Sequence, residues 1–115
     1  MLTTVEQDED VVLRARSVGP LLVEAGVPVE NSKGEAEAGQ EELNIRYADA
    51  LLAADHHTLA KQAVKEIAMQ HGHSATFLPK WHHDKVGSAA HIHQSLMKGD
   101  DNAFYDADAE LTMSE

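Results

Sequence analysis

Histidines and carboxylates carry most of what could be chemical in this sequence. Eight histidines stand at positions 56, 57, 71, 73, 82, 83, 91 and 93. Residues i and i+2 of an extended strand point the same way. A strand over Ser88–Leu96 would therefore set His91 and His93 on one surface and Ile92 on the other. Imidazole suits zinc, copper, iron and nickel better than magnesium, whereas a mixed histidine–carboxylate set also suits manganese or magnesium. The competing reading of such a pair is a plain polar strand face. His56 and His57 fall within a predicted helix, where adjacent residues diverge, and His71 and His73 flank its end. His82 and His83 fall in a solvated loop. These six are read as bystanders.

Two further stretches could bind a ligand. From Glu30 to Glu42 the chain alternates carboxylates with Gly34 and Gly39. Glycine permits sharp turns, so carboxylates distant in sequence can converge on one hard cation. The competing reading is a solvated acidic loop. Gly87-Ser88 precedes the histidine strand, and glycine there allows close backbone approach to a ligand. Neither a Gly-Lys-Ser/Thr phosphate loop nor a Gly-x-Gly-x-x-Gly turn occurs, so any nucleotide is bound by another scheme.

The elements that must position these groups follow from periodicity. Asp10–Ala25 reads as helix stopped by Gly26, with Gly19-Pro20 imposing a kink or a break. Val27-Pro28-Val29 reads as a short edge-like strand, Asn31–Gln40 as turn-rich, and Leu43-Asn44-Ile45 as a strand. A long helix is predicted from about Tyr47 to Gln70, with Leu52, Leu59, Ala63 and Ile67 at helical spacing and Gly72 just past its end. Ala75–Leu78 reads as a strand closed by Pro79. Residues 1–8 read as a polar, frayed start, and the tail from Lys98 is acidic. Interleaved helices and strands predict an α+β or α/β fold.

Composition narrows the partners. The chain has 115 residues and a formal net charge of −11. That charge argues against a nucleic-acid partner, which needs clustered Lys and Arg, and no basic amphipathic stretch favours a membrane surface. No apolar run approaches the roughly 20 residues that span a bilayer. Cysteine is absent, so thiolate metal sites and disulfides are excluded, and a cytoplasmic protein is expected.

In order and spacing, several of these segments resemble the glutamine synthetase family. The carriers are Glu30-Asn31-Ser32-Lys33-Gly34-Glu35 leading to Gly39-Gln40-Glu41-Glu42, Val64-Lys65-Glu66-Ile67-Ala68, and Ala75-Thr76-Phe77-Leu78-Pro79-Lys80. Gly87-Ser88-Ala89-Ala90-His91-Ile92-His93-Gln94-Ser95-Leu96 and Asn102-Ala103-Phe104 complete the set, which covers roughly residues 25 to 105. The resemblance implies a partial catalytic domain: an α+β fold in which antiparallel curved strands carry the long helix. It further implies ATP-dependent ligation of ammonia or a small amine to the side-chain carboxylate of glutamate, through a γ-glutamyl phosphate. Mg²⁺ or Mn²⁺ is the implied cofactor, ATP the co-substrate, and a homo-oligomer with shared active sites the implied assembly of the parent.

Residue by residue, the resemblance implies that Glu35 and Glu42 hold one divalent cation and that His91 serves a second. It places Glu30, Tyr47, His93 and Ser95 at ATP and Gly87 at substrate glutamate. No residue of the chain is assigned a catalytic role. Val86 stands where many members have Asn, and Trp81 with His82-His83 departs from the ammonia-specific pattern. These departures resemble the branch that uses bulkier amines. The family's N-terminal β domain, an upstream strand with two carboxylates, and the downstream arginines are expected to be missing, so the isolated segment is expected to be inactive. The alternative is a noncatalytic metal- or nucleotide-binding remnant or regulatory module of the same fold.

Overall fold

A computed structural model describes residues 2–4 and 18–109. The helix expected from Asp10 is described only over residues 18–24, which we call α1; the earlier part of that reading lies outside the described residues. Gly26 ends it with φ 88°, a left-handed conformation that favours glycine.

The long helix, α2 (Ala50–Gln70), matches its predicted extent to within three residues at its start. Asp49 caps it by accepting the Leu52 backbone N–H at 3.2 Å. At the far end His73 N–H reaches the Ala68 carbonyl at 2.9 Å across Gly72, whose φ is 76°. Of the predicted stripe, Ile67 is buried and Ala63 packs against the core, but Leu52 and Leu59 are 44% and 53% exposed, and Ala60 and Val64 take their place in the buried face. Ala60 is short enough to let the helix approach the sheet, and that rotates Leu59 outwards. Val18, Leu22 and Val27 complete the core, with Phe77 packed at its margin beneath the ammonium groups of Lys61 and Lys65. Burying side chains such as Leu22, Val27 and Val64 stabilises the fold by roughly 1.5–3 kcal/mol each.

The main sheet has the order β2-β3-β1-β4 and is antiparallel throughout. Its strands are β1 (Leu2–Thr4), β2 (Val29–Gly34), β3 (Gln40–Ile45) and β4 (Ala75–Thr76). Two expectations are corrected here. Residues 2–4 form a strand between β3 and β4 rather than a frayed end, and the acidic stretch 31–40 is largely a hairpin arm. Lys33 pairs with Glu42 and Gly34 with Glu41, so ladder bonds hold β2 as far as Gly34. Only residues 35–39 turn, with Gly39 at φ 72°.

The predicted strand Ser88–Leu96 is also corrected. Residues 86–96 follow an irregular course, and a small hairpin of β5 (Met97–Lys98) and β6 (Asp101–Asn102) succeeds them. Alternation of side chains makes a strand only where a neighbour satisfies the backbone groups. Among the described residues no strand pairs with this segment; it is held at its ends by Gln40 and Pro79 at Gly87-Ser88 and by the Ala103 N–H on the Leu96 carbonyl. For the same reason β4 ends at Thr76 rather than Leu78: β1 offers partners only to Ala75 and Thr76. The fold is α+β, with antiparallel strands and one long helix.

Candidate functional site

The β2–β3 hairpin brings Glu35 and Glu42 to one cation. Lys33 Nζ lies 3.2 Å from Glu35 Oε1 and 3.4 Å from Glu42 Oε1. Glu42 also accepts the Asn44 side-chain amide at 2.8 Å, and Asn44 in turn donates to Asn31. The Asn44 amide, followed by Glu35 and Lys33, lowers the Glu42 carboxyl below the usual carboxylate range. The Glu35 hydrogen bond and the Glu42 charge raise the Lys33 ammonium above its usual value. Glu42 is thus held ionised beside a positive charge.

The turn of this hairpin grips the loop that follows β4. Gln40, only 2% exposed, donates through Nε2 to the Gly87 carbonyl at 3.1 Å and to Ser88 Oγ at 3.2 Å. Its Oε1 accepts the Glu37 backbone N–H at 3.2 Å. Glu37 accepts Lys85 Nζ at 2.8 Å and the Val86 backbone N–H at 3.5 Å. The Lys85 hydrogen bond above all holds the Glu37 carboxyl below its ordinary value. A β-carbon at Gly87 would sit 3.0 Å from the Pro79 carbonyl, and Ser88 N–H donates to that same oxygen at 2.6 Å. Gly87 is therefore favoured at the loop neck, where a side chain would push the Pro79 carbonyl back by a few tenths of an ångström.

Between α2, the sheet and this loop lies a cavity of about 210 Å³. Its walls include Leu43, Val64 and Phe77 on the apolar side and Glu41, Glu42, His57 and Lys61 on the polar side. Glu42 thus borders both the carboxylate pair and the cavity. His56 and His57 diverge as expected: His57 lines the cavity, while His56 Nδ1 is buried without a partner among the described residues.

The remaining predicted residues are not gathered to this point. Glu30 is exposed, Tyr47 is 94% exposed, and His91, His93 and Ser95 are exposed along the irregular 86–96 segment. Among the described residues no hydrogen bond or ion pair joins His91 to Glu35 or Glu42. Sequence reasoning missed Gln40, Lys33 and the Glu37–Lys85 pair. A Gln after Gly at the tight end of an acidic hairpin was the available signal for Gln40, because a short turn aims that side chain across the strands.

Comparison with known proteins settles the family. A profile described as "Glutamine synthetase, catalytic domain" matches residues 2–115, a wider span than the motifs alone carry. The chain belongs to the glutamine synthetase family. The glutamine synthetase of Thermus thermophilus is 46% identical over 94 residues, covering 82% of this chain and 21% of the relative. That of Mycobacterium tuberculosis is 44% identical over 90 residues, covering 78% and 20% respectively. Among solved structures, ligand-free GmaS superimposes with a TM-score of 0.76 at 36% identity, covering 94% of this chain and 27% of GmaS. A GmaS–ADP complex gives 0.75 at the same identity. The chain therefore spans about a fifth of the length of the curated relatives it matches. Among its described residues, no helix is long and apolar enough to cross a membrane.

Proposed function

We propose that the whole protein carrying this segment is a ligase that joins ammonia or a small amine to the side-chain carboxylate of glutamate, using ATP and passing through a γ-glutamyl phosphate. The observation that carries this reading is the convergence of Glu35 and Glu42 on one ammonium, at 3.2 and 3.4 Å. Two carboxylates that share one cation form a hard oxygen donor set of the kind Mg²⁺ or Mn²⁺ takes. Such an ion, when bound, neutralises negative charge that develops as a phosphoryl group is transferred.

The chain's own residues contribute positioning. Glu35 and Glu42 would hold the ion, with Asn44 keeping Glu42 ionised and oriented. Gln40 fixes the carbonyl of Gly87, leaving the Gly87 backbone at the loop neck to face substrate glutamate. His91 is proposed to serve a second ion, and Glu30, Tyr47, His93 and Ser95 to contact ATP, once the remainder of the catalytic domain packs against the 86–96 segment. Similarity to a GmaS that binds ADP supports the adenine-nucleotide part of the reading. Trp81 with His82-His83, which depart from the ammonia-specific pattern, and Val86 in the place of Asn favour an amine larger than ammonia. A parent homo-oligomer with shared active sites completes the proposal.

Phosphate release by the whole protein tests it, with ATP, glutamate, Mn²⁺ and a panel running from ammonia through methylamine and ethanolamine to a polyamine. Release is expected to require both glutamate and an amine, and to be abolished by Glu42→Gln. Binding of ADP without any amine-dependent release would instead support the noncatalytic module.

A further inference from the structure

We propose that His82, His83 and Asp84 form a transition-metal site of the zinc class at the tip of the loop between Pro79 and Ser88. Each contributes one donor atom, and the three atoms lie within 4.8 Å of one another, the one such trio among the described residues. His83 Nε2 stands 3.0 Å from Asp84 Oδ2. Two ligands of a tetrahedral zinc ion with bonds of about 2.0–2.1 Å are roughly 3.3 Å apart, so this pair is already near a bound spacing. The His82 and His83 rings are 4.5 Å apart and tilted by 30°, so modest side-chain rotation brings both to one ion. His82 Nδ1 accepts the Asp84 backbone N–H at 3.3 Å, which holds the His82 ring against the turn that carries Asp84.

The donor set decides the class of ion. Two imidazoles and one carboxylate suit zinc, nickel or copper, whereas magnesium and calcium take oxygen. The site is therefore chemically distinct from the Glu35–Glu42 pair, and the inference does not rest on the ligase reading. The loop supplies preorganisation. Its neck is closed by Ser88 N–H on the Pro79 carbonyl and by Gln40 on Gly87, and Lys85 beside the trio is tied to Glu37 at 2.8 Å. Lys85 N–H also closes the turn on the His82 carbonyl at 3.2 Å. The His83 and Asp84 side chains stay 81% and 72% exposed, leaving room for water to complete the coordination. The overall charge of −11 favours cation approach.

The test titrates the full 115-residue chain with Zn²⁺ alone by calorimetry and with Co²⁺ by visible absorption. Three proteins are compared: the wild type, the double variant His82→Gln/His83→Gln, and the double variant Glu35→Gln/Glu42→Gln. Outer-sphere partners of a metal site are commonly worth about 10–100-fold in affinity, so loss of two ligands must cost at least that. One Zn²⁺ equivalent is expected to bind the wild type and the glutamine-for-glutamate variant alike, and to weaken by tenfold or more in the histidine variant. Matching far-ultraviolet circular dichroism across the three keeps the comparison to ligands, since the altered histidines are exposed. Equal Zn²⁺ affinity in wild type and histidine variant, or loss of the equivalent only when Glu35 and Glu42 are changed, would overturn the site.

Discussion

The side-chain amide of Gln40 donates to the backbone carbonyl of Gly87 at 3.1 Å, although 47 residues separate them. This contact couples the tip of an acidic hairpin to the loop that follows β4. Both polar ends of Gln40 are used and the residue is buried, so an apolar replacement strands the groups it satisfied. Gln40→Leu is expected to destabilise the chain by about 1–3 kcal/mol, the usual cost of buried polar groups left without partners. A lower urea midpoint with an unchanged slope is the expected reading.

The position of the α2 stripe makes a second prediction. Val64 is 2% exposed and Leu59 is 53% exposed. Val64→Ala should cost about 1–3 kcal/mol, and Leu59→Ala no more than about 0.5 kcal/mol in either direction. Thermal melts of the two variants check this. Reversed costs would restore the stripe that periodicity alone selects.

Stability should fall at both ends of the pH range. The Glu37 carboxyl is lowered by Lys85 and the Val86 N–H, and Glu42 is lowered by Asn44, Glu35 and Lys33. A carboxyl lower in the folded than in the unfolded chain stabilises fully above its unfolded value, about 4.3, and loses that contribution as pH falls through its folded value. Lys33 is raised, so its contribution is complete below the unfolded value near 10.4 and is lost as pH rises through the folded one. Urea midpoints across the range should therefore trace a plateau, and Glu37→Gln should soften its acid limb. Lys33 is exposed and the two carboxylates are half-buried, so 1 M salt is expected to flatten both limbs in part.

Much of this was legible in the residues, and the failures share a cause. The end of α2 was readable because Gly72 marks it chemically, whereas the predicted start at Tyr47 overran the cap at Asp49. Its buried face was not readable, because Leu59 outranks Ala60 in hydrophobicity and only the tight approach to the sheet reverses that order. The hairpin of β2 and β3 was hidden by its charges: Lys33, Glu35, Glu41 and Glu42 read as a solvated loop until strand pairing sets them opposite one another. The Ser88–Leu96 alternation predicted a strand that does not form, because a strand is a property of two segments and no strand stands beside it among the described residues. At the site, strand pairing brings Glu35 and Glu42 to one ammonium, and Lys33 between them had no signal in spacing alone.

The central claim is that Glu35 and Glu42 share one divalent ion, and Mn²⁺ binding to the whole protein, followed by electron paramagnetic resonance, tests it most directly. Glu35→Gln and Glu42→Gln should each weaken one Mn²⁺ site by at least about tenfold, since each removes a ligand. Lys33→Met should strengthen the same site, because the ammonium at 3.2 and 3.4 Å competes for both carboxylates. Equal Mn²⁺ affinity in the wild type and both glutamine variants would contradict the account.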